Sequence, residues 1–433
     1  MVVSARVKAA GWRVAVVDCR PFGGTCALRG CDPKKMLIGG ASAVDHIRRM
    51  SGKGVVGEAR IEWPELMAFK RTFTDPVPGK NEARFAAQDI EAFKGSASFV
   101  GPDTLEVAGV GRLNARRFVI ASGAEAVKLG IPGEEHLLNN EDFLRLESLP
   151  ARIAMVGGGY IAAEFSHVAA RAGVKVTILQ HADRLLTNFD PDLVGWSMKS
   201  YRALGIDVRL GASVESIEKT RSGFRVIASI AGAQIIVEAD AVVHAAGRAP
   251  ALDSLNLTSA GVETEKGKLK LNEFLQSVSN PAVYAAGDAA QMGPPLTPVS
   301  SHDAKVVAAN LLDGNHARPD YQGVPSVVFT LPPMAAVGLS EAETRAQGLK
   351  FRMRSELVPT WFNARQAAEK VYGYKVLVDE ETDLVLGAHL IGPHVDEVIN
   401  IFALAIRHGL TAENLRTMMF AYPTGASDIG YML

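Results

Sequence analysis

The sequence is poor in cysteine, in aromatic residues and in excess charge of either sign. It has three cysteines in 433 residues, 7% aromatic residues and a formal net charge of −1. Three cysteines cannot form the disulfide framework of a secreted protein of this length. A nearly neutral chain gives no electrostatic basis for binding nucleic acid or an acidic membrane surface. We therefore expect a cytoplasmic protein without a nucleic-acid partner.

Long apolar runs are also missing. No run reaches the ~18 residues that a membrane-spanning helix requires. The start, MVVSARVKAAGWRVAVVD, lacks the compact apolar block and the cleavage site of a signal peptide. A hydrophobic content of 48% and a charged content of 21% are ordinary for a globular protein with sizeable cores. At roughly 150 residues per domain, two to four domains are expected. Because no long apolar run is present, no membrane partner is expected.

Two of the three cysteines, Cys26 and Cys31, lie together in the stretch GGTCALRGCDPKK. A regular helix would separate them by ~7.5 Å along its axis, whereas a disulfide joins Cα atoms ~4.4–6.8 Å apart. Gly30 and Pro33 make a local distortion plausible, and a nearby helix start and two lysines would lower the thiolate pKa. The pair fits a redox dithiol. Packing cysteines and a metal site are the alternatives, although no second cysteine pair or histidine cluster completes a zinc site.

The first segment predicts a helix over SARVKAAG and then a buried strand, WRVAVVD, that ends at Asp18. A Pro- and Gly-containing break, TDPVPGK, is predicted to separate two helical stretches. Near Pro150 the pattern restarts as strand, glycine turn, helix and strand, which is one βαβ unit. From Val324 onward the pattern suggests an α+β unit.

The glycine turn of the βαβ unit reads VGGGYIAAE, with Gly157, Gly159 and Ala162 as G-x-G-x-x-A. Because it follows an apolar strand and opens a helix, it predicts a pyrophosphate site at the helix N-terminus. A plain tight turn is the alternative. The second strand closes with Gln180 and His181 in place of the acid that would bond a ribose hydroxyl. Together with the nearby cation Arg184, this favours NADPH over NADH, and a solvated turn is the alternative.

Several motifs in this order resemble those of the flavoprotein disulfide reductases, the group of glutathione reductase, dihydrolipoamide dehydrogenase and mercuric reductase. They are GGTCALRGCDPKK, GGGYIAAE, AVYAAGDAA with PLTPVS, FTLPPMAAVGLSE and AYPT. The resemblance covers essentially the whole chain. It implies an α/β protein with two Rossmann-like domains, for FAD and NAD(P), and a C-terminal α+β domain that forms a homodimer. The implied divisions are FAD domain 1–148, NAD(P) domain 149–248, returning FAD segment 249–319 and interface domain 320–433.

The resemblance also implies roles for individual residues. Cys31 would be the thiol beside the flavin and Cys26 the thiol that attacks the substrate. Lys34 would lie near the flavin and pair with Glu164, and Tyr160 would cover the flavin until nicotinamide displaces it. For the cofactors, FAD and NADPH with NADH as the alternative, the implied contacts are Asp18, Gly24, Thr25, Lys35, Ala97, Ala121, Ser122, Gly123, Gly287, Asp288, Thr297, Gly157, Gly159, Tyr160, Ile161, Gln180, His181, Gly247 and Arg248.

The sequence departs from the family pattern at its start. The family begins with a strand and a G-x-G-x-x-G motif that holds the FAD pyrophosphate. No glycine precedes Gly11 here, so we expect the first strand of the FAD domain to be missing. This favours a truncated gene model over a natural variant.

A second departure lies near the C-terminus. The usual His-Pro-Thr is Tyr422-Pro423-Thr424, and the Glu that normally orients the histidine is replaced by Ser427, with Asp428 one position later. A tyrosine, with an ordinary pKa of ~10, stays protonated at neutral pH and can donate to a leaving thiolate. We expect Tyr422 to serve as this proton donor. A merely structural aromatic residue is the alternative.

These patterns predict a glutathione-reductase-like enzyme that passes electrons from NAD(P)H through FAD and the Cys26–Cys31 disulfide to a small-molecule disulfide. Three alternatives stay open. A dihydrolipoamide dehydrogenase would use NAD, and a mercuric-reductase-like enzyme is favoured by Tyr422. A non-catalytic homologue unable to hold FAD is favoured by the missing glycine motif.

Overall fold

The structure, a computed structural model, describes residues 1–433 and divides into two compact units. The first unit comprises Met1–Pro33, Arg71–Val127 and Arg248–Tyr321. The second unit comprises Lys34–Lys70, Lys128–Gly247 and Gln322–Leu433. The four-part division predicted from the sequence is finer than this one and stays a prediction.

The α-helices vary from a single turn to the 20 residues of α3. In chain order they are α1 (Val2–Ala9), α2 (Gly24–Arg29), α3 (Cys31–Met50), α4 (Trp63–Thr74), α5 (Val77–Ala87), α6 (Asn140–Phe143), α7 (Tyr160–Arg171), α8 (Pro191–Ala203), α9 (Thr297–Asp313), α10 (Glu341–Ala346), α11 (Phe362–Gln366), α12 (Val395–His408), α13 (Ala412–Thr417) and α14 (Ile429–Met432).

The strands are mostly short. In chain order they are β1 (Ala15–Asp18), β2 (Glu91–Lys94), β3 (Ala97–Gly101), β4 (Thr104–Val107), β5 (Gly111–Asn114), β6 (Phe118–Ile120), β7 (Ala124–Ala126), β8 (Arg152–Val156), β9 (Lys175–Gln180), β10 (Asp207–Leu210), β11 (Ala212–Thr220), β12 (Gly223–Ile230), β13 (Ala233–Ala239), β14 (Ala241–His244), β15 (Arg248–Pro250), β16 (Thr264–Glu265), β17 (Lys268–Leu269), β18 (Val283–Ala285), β19 (Ser326–Val328), β20 (Met334–Gly338), β21 (Phe351–Leu357), β22 (Gly373–Asp379) and β23 (Val385–Ile391).

The first unit contains two parallel strand pairs and a three-stranded antiparallel sheet. Strand β1 pairs with β2 and β18 pairs with β6, while the antiparallel sheet has the order β3-β4-β5. The strand predicted from WRVAVVD is β1, and it ends at Asp18 as expected. Phe99, Phe118 and Val283 are among the buried side chains of this unit. Residues predicted to bind FAD lie at the carboxyl ends of these strands, with Asp18 ending β1, Ala121 following β6 and Gly287 just beyond β18.

The break predicted over TDPVPGK is much shorter in the structure. Helix α4 ends at Thr74 and α5 begins at Val77. Pro78 and Gly79 therefore lie in the first turn of α5, where proline is tolerated because its missing N–H would have no helical partner. The separation of two helices is confirmed, but its predicted extent was wrong.

The second unit contains the predicted βαβ unit. Its parallel sheet has the strand order β10-β9-β8-β14, and α7 connects β8 to β9. Strand β8 is buried from Ile153 onward, and β14 is buried throughout. This near-continuous burial is typical of parallel strands covered on both faces. The glycine turn between β8 and α7 is therefore held between buried elements.

The C-terminal part of the second unit is a five-stranded antiparallel sheet of order β19-β20-β23-β22-β21, packed against α12. Helix α12 buries Val395, Val398, Ile399 and Phe402, which follow the spacing of an amphipathic helix. It ends before Gly409, whose φ of +63° is typical of a helix C-cap. The mixed α/β architecture agrees with the predicted class. None of the helices combines the length and apolar character needed to cross a membrane.

Candidate active site

The cysteine stretch forms two helices rather than one. Helix α2 ends at Arg29, Gly30 adopts φ −146° and ψ −110°, and α3 begins at Cys31. A Cβ on Gly30 would come within 3.1 Å of the Thr25 carbonyl oxygen, so the backbone is tightly folded here. The predicted distortion is present at Gly30. It places Cys26 inside α2 and Cys31 at the first residue of α3.

The two thiols lie in different electrostatic surroundings. The Cys31 Sγ atom lies 3.4 Å from the hydroxyl oxygen of Thr297, the first residue of α9. Cys31 also begins a 20-residue helix, whose N-terminus favours negative charge. Hydrogen bonding to Cys31, followed by burial, raises the pKa of the half-buried Cys26 thiol. This geometry favours a thiolate on Cys31 and a thiol on Cys26. The chain contains no group of three or more His, Cys, Asp or Glu side chains arranged to hold a metal.

Lys34 and Glu164 lie together in the second unit. The Lys34 Nζ atom is 2.8 Å from Glu164 Oε1, and their side chains are 17% and 3% exposed. The same carboxylate oxygen accepts the backbone N–H of Phe329 at 2.9 Å. Lys35 places its ammonium 3.6 Å from the centroid of the Phe329 ring and 3.6 Å from Asp396. Glu164 therefore joins the lysine of α3 to the backbone beside β19.

Sequence reasoning did not identify two further polar residues of α7. Glu164, His167 and Arg171 follow one another at spacings of three and four residues, and all three are buried. The His167 Nε2 atom is 2.9 Å from the Phe329 carbonyl oxygen, and the Arg171 guanidinium donates to Asp45 at 2.7 Å. Phe329 is thus held by Glu164 through its N–H and by His167 through its C=O. Polar residues at helical spacing, next to a glycine motif, were the signal available in the sequence.

His167→Gln is expected to reduce the pH dependence of stability. Burial, followed by the Arg171 charge, lowers the pKa of His167 to about 3, whereas an unfolded histidine titrates near ~6.5. Between these values the unfolded chain binds the extra proton, so the free energy of unfolding rises with pH by up to about 1.4 kcal/mol per unit. The wild type should therefore lose stability on acidification through this window, as measured by urea unfolding at several pH values.

The control for this experiment is His316→Gln, because His316 is exposed. Its stability should follow the wild-type pH dependence, whereas the His167→Gln profile should be flatter. Equal pH slopes in the wild type and the His167→Gln variant would contradict a neutral, buried His167.

The residues predicted to hold FAD follow parallel strands in the first unit. Asp18 ends β1, and Gly287 and Asp288 lie just beyond β18. Gly24 and Gly287 have φ values of +70° and +68°, which favour glycine. No atom lies within 4 Å of a Cβ built on Gly24, so a ligand can approach its backbone. Acids at strand ends bond sugar hydroxyls and open glycines admit phosphates. The residues present therefore fit FAD.

The other predicted flavin contacts are also in the first unit, and they are Thr25 in α2, Ala97 at the start of β3, Ala121, Ser122 and Gly123 after β6, and Thr297 at the start of α9. Arg248 also lies in this unit, where its guanidinium donates to the Ala124 carbonyl and lies 4.0 Å from Asp288. Gly247 closes a segment of the second unit. Arg248 was expected on the nicotinamide side, and this role stays a prediction.

The glycine turn in the second unit has the geometry of a phosphate-binding turn. Gly157 has φ +104°, and a Cβ there would collide with the backbone of Ala245, so the position admits only glycine. Gly159 is the N-cap of α7 and is followed by Tyr160 and Ile161. Burial raises the pKa of Tyr160 to about 12. Because Gly157 closes the turn and Gly159 caps α7, the phosphates of a pyridine nucleotide fit this helix N-terminus.

The end of β9 carries the residues expected to distinguish the two nucleotides. The Gln180 side-chain amide donates to the Arg184 carbonyl at 3.1 Å, and His181 Nδ1 is 2.8 Å from the Ser213 hydroxyl. His181 is exposed, and the Arg184 guanidinium donates to the Thr187 carbonyl at 2.9 Å. The loop thus presents two basic side chains and a hydroxyl beside the strand end.

Tyr422 lies on the surface, with 79% of its area exposed. Asp428, one candidate for orienting it, is buried and accepts hydrogen bonds from Asn363 and Tyr372, both at 2.7 Å. Ser427, the other candidate, donates its hydroxyl to the Thr424 carbonyl at 2.6 Å. Within one chain, therefore, the structure does not bring Ser427 or Asp428 into a hydrogen bond with Tyr422.

Comparison with known families gives two matches that together span most of the chain. Residues 1–304 match the model for pyridine nucleotide-disulphide oxidoreductases. Residues 324–432 match the model for the dimerisation domain of the same group. The first match ends within α9, and the second begins just before β19.

Individual relatives carry several names at similar identity. A glutathione reductase of Burkholderia cepacia is 31% identical over 98% of this chain and 94% of its own length. A dihydrolipoyl dehydrogenase of Thermus scotoductus is 32% identical over 96% and 90%, and a mercuric reductase of Lysinibacillus sphaericus is 31% identical over 97% and 77%. The solved HOCl-induced flavoprotein disulfide reductase RclA from Escherichia coli matches with a TM-score of 0.88 and 28% identity, over 99% of this chain and 96% of that one.

Proposed function

Because the chain belongs to the pyridine nucleotide-disulphide oxidoreductases, we propose that it transfers electrons from NADPH to a small-molecule disulfide through Cys26 and Cys31. The enzyme class, an NAD(P)H-dependent flavoprotein disulfide oxidoreductase, is the one predicted from the sequence, and the relatives confirm it. When bound, FAD would accept hydride from the nicotinamide and reduce the disulfide. The substrate, the nucleotide and the roles of individual residues are parts of the proposal.

One observation carries this proposal, namely the different surroundings of the two thiols on either side of Gly30. Cys31 begins α3 and lies 3.4 Å from the Thr297 hydroxyl, which suits a thiolate beside the cofactor. The raised pKa of Cys26 favours its protonated thiol, which suits the group that exchanges with substrate. Lys34, paired with Glu164 at 2.8 Å, would keep a positive charge near the flavin.

We further propose a homodimer in which Tyr422 of one protomer serves Cys26 of the other. The dimerisation-domain match supports this assembly. Met418, Met419 and Tyr422 are 58%, 95% and 79% exposed, and such exposed apolar side chains are typical of an interaction surface. The Tyr422 hydroxyl would donate its proton to a leaving thiolate.

NADPH is the proposed electron donor. The strand end offers Gln180 in place of the acid that would bond a ribose hydroxyl, and it offers His181 and Arg184 for a phosphate. The low cysteine content fits a reducing compartment, so the cytoplasm is the proposed location.

Anaerobic addition of NADPH to the flavin-loaded, full-length chain tests the proposed function. The flavin absorbance should fall, and a long-wavelength charge-transfer band should report the Cys31 thiolate. A disulfide should then reverse both changes. Absence of the band would contradict the redox role of Cys31. Flavin reduction should be faster with NADPH than with NADH, and the opposite order would favour a dihydrolipoamide dehydrogenase.

Tyr422→Phe should slow disulfide turnover by about 10²-fold, as expected for loss of a general acid, and should leave flavin reduction nearly unchanged. Stopped-flow measurement of the two half-reactions separates these effects. The control is Tyr431→Phe, because Tyr431 is also exposed, at 68%. Equal losses in both half-reactions would exclude the proposed role of Tyr422.

A second candidate function is reduction of a metal ion such as Hg²⁺. Mercuric reductases are among the relatives, and Tyr422 in place of the usual histidine favours this candidate. NADPH oxidation that depends on Hg²⁺ and not on a disulfide would select this candidate. A folded but colourless protein that takes up no added FAD would instead select a non-catalytic homologue.

A further inference from the structure

An acidic side chain adjoins the thiol that exchanges with substrate. Asp32 is the second residue of α3, immediately after Cys31. The Cys26 thiol donates a hydrogen bond to Asp32 Oδ1, with a sulfur–oxygen distance of 3.9 Å. Asp32 itself is exposed. The proposed electron transfer through Cys26 and Cys31 gives this carboxylate no role.

The hydrogen bond favours one protonation state of the dithiol. If Cys26 lost its proton, its sulfur and the Asp32 carboxylate would be two adjacent negative charges without the bridging proton. The other groups that act on Cys26 are the Cys31 thiol and the Thr297 hydroxyl from α9. Cys31 and Asp32 both raise the pKa of Cys26, and Thr297 lowers it. Cys31 begins α3 and has the Thr297 hydroxyl within 3.4 Å. These surroundings therefore favour the negative charge of the reduced dithiol on Cys31 rather than on Cys26.

We propose that Asp32 is a catalytic residue that holds the shared proton of the reduced dithiol on Cys26 and accepts it when Cys26 attacks the substrate. The proposal rests on the proposed function, since it concerns the disulfide exchange. It adds a proton acceptor within hydrogen-bond reach of the attacking sulfur, on the same stretch of chain.

The proposed exchange between the dithiol and a disulfide has two steps. The Cys26 sulfur attacks a disulfide RSSR, a Cys26–SR bond forms, and the first RS⁻ leaves with the bonding electron pair. The Cys26 proton passes to the Asp32 carboxylate and then to RS⁻, giving RSH. The Cys31 thiolate next attacks the Cys26 sulfur, which forms the Cys26–Cys31 disulfide and expels the second RS⁻. That thiolate takes its proton from Tyr422 or water, and the dithiol has supplied two electrons.

Alkylation of Cys26 as a function of pH tests the proposal. The full-length wild type, Asp32→Asn and Asp32→Glu are reduced, desalted anaerobically and treated with iodoacetamide, and the Cys26 peptide is quantified by mass spectrometry. Asp32→Asn should lower the midpoint pH for Cys26 alkylation by about one unit, because a like charge is removed from a partly exposed pair. Asp32→Glu should stay close to the wild type.

Glu265→Gln removes an exposed acid elsewhere in the same unit, so its midpoint should equal that of the wild type. High salt should lower the wild-type midpoint and leave that of Asp32→Asn almost unchanged, because screening weakens the repulsion. If Asp32→Asn folds poorly, the salt dependence of the wild-type midpoint can be measured by itself.

An unchanged or raised midpoint in Asp32→Asn would overturn the proposal, as would a wild-type midpoint that does not respond to salt. These outcomes are independent of the proposed function, because alkylation requires neither NADPH nor disulfide turnover. A lowered midpoint without NADPH-dependent turnover would leave the role of Asp32 in holding the proton intact and contradict only the proposed function.

Discussion

Replacing Cys31 with serine should lower NADPH-dependent disulfide reduction by at least about 10³-fold, as expected for loss of an essential sulfur nucleophile. NADPH should still reduce the flavin, because the variant changes neither the Gly157 turn nor the Lys34–Glu164 pair. The long-wavelength band should disappear, because a serine hydroxyl beside Thr297 stays protonated. Anaerobic stopped-flow spectroscopy measures flavin reduction and reoxidation by disulfide separately.

Two other cysteine variants serve as controls. Cys26→Ser should also lose disulfide turnover but should keep the charge-transfer band, because the Cys31 thiolate remains. Cys19→Ser should retain both, because Cys19 is an exposed residue after β1. A band that persists in Cys31→Ser, or one lost only in Cys26→Ser, would reverse the assigned order of the two thiols.

Lys375→Met should destabilise the chain by about 3–5 kcal/mol, the usual loss when one partner of a buried ion pair is removed. The Lys375 side chain is 2% exposed, and its ammonium lies 2.9 Å from Asp190, 2.6 Å from Asp192 and 3.2 Å from Glu341. Asp190 is 1% exposed, so the variant would leave its charge buried and uncompensated. The urea midpoint, followed by tryptophan fluorescence, measures the change.

The matched control is Lys350→Met. Lys350 pairs with Glu381 at 3.2 Å, but the two side chains are 74% and 70% exposed. An exposed pair of this kind contributes ~0–1 kcal/mol. Adding Asp190→Asn to Lys375→Met should restore part of the lost stability, because the uncompensated charge is then removed. Equal destabilisation by Lys350→Met and Lys375→Met would show that burial of the Lys375 ion pair does not determine the loss of stability.

The sequence predicted those parts of the site that depend on local pattern. The βαβ unit, the end of β1 at Asp18 and the distortion at Gly30 follow from glycine placement and apolar spacing. The Lys34–Glu164 contact joins residues 130 positions apart, and it was expected only because both belong to motifs of a known family. Pattern together with resemblance therefore predicted these elements and this contact, and the roles of the site residues stay predictions.

The polar contacts inside the fold could not be predicted in this way. Lys375 is a single polar residue in the sequence, where nothing distinguishes it from a residue on a solvated surface, yet it is buried in the structure. Its partners are fixed by how helices and strands pack, since Asp190, the N-cap of α8, lies 2.9 Å from the Lys375 ammonium. The role proposed for Tyr422 similarly depends on the proposed homodimer rather than on its local sequence.

The contacts between α3 and α7 have a consequence for sequence change among relatives. Lys34 and Glu164 join the helices near one end, and Asp45 joins Arg171 further along both. Asp45 also accepts the Nε–H of Arg49 at 2.7 Å. Loss of Asp45 would remove the ion-pair partner of Arg171, whereas Arg49 would keep Glu369 at 3.8 Å. The effects of substitutions at these positions on the free energy of unfolding should therefore be non-additive. In lineages that replace Asp45 we expect Arg171 to change as well, so the two positions should covary while their flanking surface positions drift independently.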